Sequence, residues 1–475
     1  MRSARFPLFA HVASKLRKPI PSIPGRGELA AESLADAIVQ WPDWVYRRVD
    51  SVHPSEGARG RLKHSMDCIP PPDPRLAYDE VERGHQSINE VEGQLMVPLA
   101  FITKGPMRHL DVSRNDGTSM PILGSEEACE LMADALILLL TKSGVKRSSE
   151  LEDAIRSLVF SRGNENLEKA KGLIAKGVWE GQRLWCSQIK IDLYTERFLL
   201  NLSTDFVLIG LIPASASGTR QILKFSYHWV LNLPMKDRAQ FRDSAKVAFR
   251  IAPLEIQLPM HMPAATKSYH LEFHVPPELD IRELVLPQVT DSLGNQVQYP
   301  MDNSGAPVAH VHARFQEMPE KDAVVKLAVP RRGLWVTALM TSGLTAGIFL
   351  LALCLPGAMD TLRQVGGNAA ALLLAAPAVF VSFLVISKEH IFSSWMLNPL
   401  RVIVAMCALS LFMMAASIAG DLQQPFLMAL WVLGAVGSVF SFGGLLFGEK
   451  IAGKIKAARF ILSRKLKEFK ESTVV

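Results

Sequence analysis

Cysteine is scarce in this chain, and what there is cannot form a framework. Five cysteines occur in 475 residues. Cys68, Cys129 and Cys186 lie far apart in the front part, and Cys354 and Cys407 sit inside apolar runs. The count is odd and no Cys-x-x-Cys occurs, which sets aside a disulfide scaffold and a thiolate zinc site. The chain also lacks G-x-x-x-x-G-K-[ST], G-x-S-x-G, H-E-x-x-H and a G-x-G-x-x-G following a strand. Gly443–Lys450 has the glycines of a phosphate loop, but Glu449 separates Gly448 from Lys450 and the glycines fall in an apolar run. No organic cofactor is therefore expected, and an enzymatic reading has no motif behind it. A secretory signal is missing as well: Phe6–Ala13 is short, contains Pro7 and His11, and precedes no small-residue cleavage pattern. The front of the chain is expected to stay on the side of the membrane where it is made.

Charge is absent from four long stretches of the last third. Gly333–Met359, Val365–Ser387, Val402–Gly420 and Pro425–Gly448 hold no acid, no base and no histidine. At a rise of 1.5 Å per residue each can cross about 30 Å of hydrocarbon. The pattern predicts an all-α bundle of four transmembrane helices over residues 333–448. Arg401, Asp421 and Glu449 stand only at the ends of these runs. Ion- and proton-coupled transporters carry an ionisable partner at bundle depth, so coupled transport is set aside. A passive pore lined by hydroxyls, carbonyls or apolar constrictions is not. Small residues are plentiful instead. Gly343 and Gly347 are four apart, as are Gly444 and Gly448, with Gly434 and Gly437 nearby. Such spacing lets helices pack closely, within one bundle or between the copies of a homo-oligomer.

Where the cations lie matters more than the net charge of +6. Before Glu28 the chain carries Arg2, Arg5, Lys15, Arg17, Lys18 and Arg26 and no acid. Lys321, Lys326, Arg331 and Arg332 precede the first run, and Lys388, His390 and Arg401 lie between the second and third. Lys450, Lys454, Lys456, Arg459, Arg464, Lys465 and Lys467 follow the fourth. The alternate connections hold Arg363 alone or no cation. This bias predicts a multi-pass cell-membrane protein with the N-terminal domain and the C-terminal tail both cytoplasmic. It favours anionic lipid headgroups over nucleic acid as the partner of the basic ends. In the tail, residues 449–475, Ile451, Ile455, Ala458, Leu462, Leu466 and Phe469 recur at helical spacing with cations between them. This is a basic amphipathic helix that could lie on the leaflet, form a coiled coil or pack on the soluble domain.

The front part reads as α+β. Residues 1–75 form a basic arm, a helix over Glu28–Val49 interrupted at Pro42, and a stiff linker at Cys68–Pro74. Residues 76–204 are mixed: strands over Val91–Thr103 and His109–Val112, the latter closed by Asn115-Asp116-Gly117, then helices over Ser125–Lys142, Ser149–Phe160, Asn166–Glu180 and Arg183–Leu202. Residues 205–330 read as a β-sandwich-like domain. Its strands are Phe206–Ile212 paired with Gln221–Leu231, then Val247–Leu258, Ser268–Val275, Ile281–Val289, Val308–Phe315 and Ala323–Val329.

Histidines supply the one metal lead. His270 and His274 share a face of the strand Ser268–Val275, and His310 and His312 share a face of Val308–Phe315. If the two strands pair, neutral imidazoles meet at ligand distance; otherwise they decorate a solvated face. Lys224–His228, Ser268–His274 with Pro276-Pro277, and Lys388–His390 resemble segments of a group of bacterial, largely actinobacterial, four-span membrane proteins with a long cytoplasmic front domain. That resemblance implies the topology above and no activity. The expected function is a membrane-anchored cytoplasmic binding or signalling module with a protein or small-molecule partner. A channel or pore-forming effector gated by the soluble part is the second reading. The layout resembles that of pentameric ligand-gated channels, although the inferred orientation and the lack of paired cysteines disagree. A membrane-bound enzyme with a histidine metal site is the third.

Overall fold

The computed structural model describes residues 26–55, 59–73, 77–78, 93–105, 107–163, 165–186, 189–230, 237–258, 260, 263–286, 307–314, 322–355, 357, 390–419 and 424–472. The N-terminal arm before Arg26 and the run Val365–Ser387 lie outside them.

The front elements are α1 (Arg26–Val39), α2 (Trp41–Trp44), β1 (Val45–Pro54), β2 (Arg59–Cys68), β3 (Ala77–Tyr78), β4 (Gln94–Thr103) and β5 (Arg108–Arg114). There follow α3 (Ser125–Lys142), α4 (Ser149–Phe160), α5 (Glu165–Lys176), β6 (Val178–Trp179), β7 (Gln182–Arg183), α6 (Leu193–Thr204), β8 (Asp205–Pro213) and β9 (Gln221–Val230). The remainder comprises α7 (Asp237–Ala248), β10 (Leu254–Leu258), β11 (Ser268–His274), β12 (Asp280–Val285), β13 (Val308–Ala313), β14 (Ala323–Ala328), α8 (Leu334–Cys354), α9 (Ile391–Ala419) and α10 (Gln424–Ser472).

The chain divides into two units. The first holds Met1–Arg48, Ser65–Phe225 and His261–Ser268. Its centre is the sheet β3-β4-β8, covered by α1, α3 and α6. β4 and β8 are continuous apolar runs, Leu-Met-Val-Pro-Leu-Ala-Phe-Ile and Val-Leu-Ile-Gly-Leu-Ile, buried on both faces. They pair antiparallel from Gln94↔Pro213 to Thr103↔Asp205, with a bulge between Pro98 and Ala100. Pro98 brings no N–H to the ladder, and a bulge is where a strand tolerates that. The loosened carbonyls find side chains instead: Trp41 Nε1 donates to Pro98 O at 3.2 Å and Arg48 Nη1 to Leu99 O at 3.4 Å. Lys104, just past β4, donates to Leu158 O at 2.9 Å and Leu202 O at 2.6 Å, at the C-terminal ends of α4 and α6. A cation is favoured there by the helix dipoles. The same unit contains β5 beside β9.

The second unit holds Val49–His64, Ser226–Met260 and Tyr269–Val475. Its strands run in the order β13-β11-β1-β2-β9, with a separate sheet β10-β14-β12. Inward positions of β11 and β13 are Tyr269, Leu271, Phe273, Ala309, Val311 and Ala313, all buried. Burying each large side chain stabilises the fold by about 1.5–3 kcal/mol.

Among the described residues three helices, α8, α9 and α10, are long and apolar enough to cross a membrane. Phe349, Ala352, Leu411, Met414, Ile418, Leu427 and Trp431 form their common core. The outer surface is also apolar: Phe440 is 76 % and Leu433 72 % exposed, which fits lipid and not water. α8 and α10 run antiparallel, since Gly343 lies under the Phe442 ring and Gly434 under the Phe349 ring. α8 and α9 run parallel, because the late residues of both, Phe349 and Ala352 with Leu411 and Ile418, meet the start of α10 at Leu427 and Trp431.

Several sequence expectations need correction. The helix over Glu28–Val49 ends at Trp44, and Val45 opens a strand. β1 and β2 occupy much of what read as an arm and linker. The pattern of β1 is masked because two of its inward residues are Arg48 and Asp50. β8 does not pair with β9: its doubly buried run matches β4, whereas β9 lies between β2 and β5. Among the described residues the strands of 205–330 therefore spread over three sheets. Val247 and Ala248 close α7 instead of opening a strand, and the helix over Arg183–Leu202 begins only at Leu193. α9 begins at Ile391, so Arg401 lies within a helix. At 1.5 Å per residue its 29 residues measure about 43 Å, which leaves roughly 13 Å outside the hydrocarbon. The tail is no separate helix: α10 runs unbroken for 49 residues from Gln424 to Ser472, about 73 Å. Lys450, Lys454, Lys456, Arg459, Arg464, Lys465 and Lys467 all lie on that continuation.

Candidate functional site

The outward face of the β13-β11-β1 sheet gathers the histidines. β11 alternates, so Tyr269, Leu271 and Phe273 point inward while His270, Glu272 and His274 point outward. β13 pairs with it antiparallel, setting His270 opposite His312 and Glu272 opposite His310. His270 Nδ1 stands 3.0 Å from His310 Nε2. Ring centroids are 5.2 Å apart for His270 and His310, 5.6 Å for His270 and His312, and 6.3 Å for His310 and His312.

His274 does not join them. It stacks on His53 of β1 at 3.8 Å with 16° between planes, and its Nε2 is 4.0 Å from Glu272 Oε2. That same Glu272 oxygen accepts the Ser51 hydroxyl at 2.5 Å. Burial, with His274 and Lys63 close by, brings the His53 pKa down to about 4, so it is neutral at pH 7. Burial also lowers His274, with Lys63 adding to it and Glu272 opposing. The four histidines singled out in the sequence thus divide three and one. Among the described residues, no group of three or more His, Cys, Asp or Glu could hold a metal ion.

Beneath this face lies a network the sequence did not announce. Asp50 Oδ1 is 2.5 Å from His64 Nδ1 and Asp50 Oδ2 accepts the Tyr269 hydroxyl at 2.8 Å. All three side chains are buried, and His64 stacks on Tyr227 with centroids 5.7 Å apart. A buried pair of this kind needs its partners and is inaccessible to substrate. The signal in β2 was legible: Arg59, Arg61, Lys63, Ser65 and Asp67 alternate with Gly60, Leu62, His64, Met66 and Cys68.

A second cluster joins the strands of this unit to its apolar helices. Phe249, just after α7, occupies the space left by Gly444 and Gly448. A Cβ on Gly444 would meet the Phe249 ring at 2.8 Å, and one on Gly448 would meet Phe249 O at 2.3 Å. Arg250, at φ 57°, donates to Val329 O at 2.9 Å and to Glu449 Oε2 at 3.3 Å. Arg331 donates to the same oxygen at 2.7 Å. Arg332 is 3.4 Å from Asp280, and Ser393 Oγ is 3.4 Å from Glu278. The glycines therefore serve close packing, Gly343 and Gly434 against rings of neighbouring helices, Gly444 against the Phe249 ring and Gly448 against the Phe249 backbone, whereas Gly347 and Gly437 have nothing within 4 Å. Two buried hydroxyls of the bundle are turned onto helix carbonyls, Ser417 to Met414 O at 2.7 Å and Ser438 to Gly434 O at 2.7 Å. No protein-family model matches this chain, and no curated protein matches it in sequence.

Proposed function

We propose that this chain is a four-span membrane protein that holds a binding or signalling module against the cytoplasmic leaflet. The observation that carries the reading is the direction of the helices. Arg332 just before α8, Ser393 at the start of α9 and Glu449 midway along α10 all touch strands or loops of the same unit. α8 leaves that end and α9 starts from it again. This direction supports a recrossing between Leu355 and His390. Across hydrocarbon only a helix satisfies its own backbone, and Val365–Ser387 is the run long enough to do so. With four spans both soluble ends lie on one side, and the cations at that end support the cytoplasmic side. Arg331, Arg332, Lys450 and Lys454 would meet anionic headgroups there. A protein partner or a second copy would engage the exposed sheet face or the outer surface of the helices.

Sidedness tests this directly. Cys186 is exposed and can serve as a native probe once the other cysteines are replaced. Gly357→Cys and Lys388→Cys report on the two ends of the inferred second span. Labelling of Gly357→Cys alone by an impermeant maleimide on intact cells is the expected pattern. Labelling of Cys186 in intact cells would reverse the orientation, and equal labelling of positions 357 and 388 would remove the second span.

A further inference from the structure

We propose that α7 and its flanks form a membrane-inserting edge, with Phe241 and Ile251 entering the acyl boundary of the leaflet beside α9 and α10. The proposal rests on the reading that the apolar helices span a membrane, and it is independent of which side the module occupies. Among the described residues of this unit that precede α8, three large hydrophobic side chains are left exposed. They are Val230 at 63 %, Phe241 at 51 % and Ile251 at 39 %. All three belong to one stretch: Val230 ends β9 before α7, Phe241 lies within α7, and Ile251 follows that helix by three residues.

Contacts place this stretch where the apolar part of α10 gives way to charge. α7 packs along α9. A Cβ on Gly444 would meet the Phe249 ring at 2.8 Å, and one on Gly448 would meet Ile251 Cγ1 at 3.5 Å. Glu449, the first charge after the apolar run, gathers Arg250 and Arg331. Gly444 lies five residues earlier, about 7.5 Å along the axis, so the Phe249 ring reaches below the level of these charges. Interfacial helices bury their apolar face about 5–10 Å into the boundary between headgroups and acyl chains, which is the same range. α7 has the two faces this requires. Ser244, Val247 and Ala248 are buried, and Asp243 pairs with Lys246 at 2.6 Å on a side about 140–160° round the helix from Phe241. Lipid is the occupant because the patch adjoins α10 at Gly448, whose neighbours Phe447 and Ile451 are themselves exposed and apolar. Arg331 and Arg332, exposed at the same end, supply cations for headgroups.

The test uses the full chain in liposomes, its five native cysteines replaced, with single cysteines introduced to carry an environment-sensitive fluorophore. Phe241→Cys should give blue-shifted emission that is lost with lipids bearing a nitroxide near the headgroup, and lost less with the nitroxide deep in the acyl chain. Phe440→Cys, at an exposed position of α10 about 13.5 Å below Glu449, should show the reverse order. Asp243→Cys should be quenched by neither. Circular dichroism and thermal unfolding confirm that each variant is folded, as expected for positions outside the core. Phe241→Cys left unquenched while Phe440→Cys is quenched would overturn the proposal and leave the spanning helices standing. So would a Phe241→Cys signal that escapes quenching as protein is added at fixed lipid, the mark of a second copy on the patch. Equal quenching at positions 241 and 243 would overturn the facing argued for α7. Absence of quenching at Phe440→Cys would remove the spanning reading, and this proposal with it.

Discussion

Replacing Gly448 by alanine tests the joint between α10 and the strands, because two effects of opposite sign meet there. In an unobstructed helix, glycine to alanine stabilises by about 0.5–1 kcal/mol. At Gly448 the new Cβ would lie 2.3 Å from Phe249 O, so backbone must give way by about 1 Å to reach ordinary contact. Phe249 cannot retreat alone. The next residue, Arg250, already bonds Val329 O at 2.9 Å and Glu449 at 3.3 Å, and the same shift stretches both. Overpacking costs about 1–3 kcal/mol, and a weakened charged hydrogen bond adds about 1 kcal/mol. The net expectation is destabilisation by about 1–3 kcal/mol. Gly437→Ala, with nothing within 4 Å, should be neutral or stabilising. Thermal unfolding in detergent, read by tryptophan fluorescence, should rank Gly437→Ala at or above wild type and Gly448→Ala below it. A double-variant comparison sharpens the test. At Gly444 the obstruction is the Phe249 ring, so Phe249→Ala should relieve Gly444→Ala but not Gly448→Ala. A Gly448→Ala protein as stable as wild type would refute the reasoning.

Three further perturbations probe the soluble elements. Asp50→Asn removes the charge that holds His64 and Tyr269 in a buried network; a loss of about 3–5 kcal/mol is expected in denaturant unfolding, and a loss under 1 kcal/mol would contradict it. His53 has a folded pKa of about 4 against 6.5 unfolded, so the unfolded chain takes the proton first and stability falls as pH drops from 6.5 towards 4. His53→Gln should flatten the stability profile in that window. Lys104 is brought by burial to about 8, which makes it half neutral near pH 8. It should react with an acylating reagent ahead of the other lysines, and Lys104→Met should cost about 2 kcal/mol by stranding carbonyls at two helix ends.

How much of this was legible depends on which interactions define each element. Helices such as Ser149–Phe160 follow from amphipathic spacing and a local cap, Ser148 Oγ accepting from Leu151 N at 3.3 Å, and local signals survive in a sequence. Strand partners do not. Both β8 and β9 were readable as strands, but their separation into different sheets depends on β4, more than 100 residues earlier, and on β2. The histidine face lay between these cases. Alternation put His270 with His274 and His310 with His312, whereas the assortment into His270, His310, His312 and His53, His274 depended on register and on β1, whose inward Arg48 and Asp50 hid its period.

The membrane part reverses that order of dependence, since there sequence and geometry supply different halves of one argument. Hydropathy finds runs and cannot say how they pack; packing of three helices fixes direction and says nothing of the chain between them. The four-span proposal puts one crossing between Leu355 and His390, a stretch of about 35 residues. At 1.5 Å per residue one helix of about 20 residues crosses the bilayer, and three would need some 60. The single crossing proposed above fits that length, so on that proposal Lys388 is expected beside the module and Gly357 opposite it. A chain with a re-entrant loop in place of that crossing would return Lys388 to the side of Gly357, and maleimide labelling of the two positions separates these outcomes without reference to any activity.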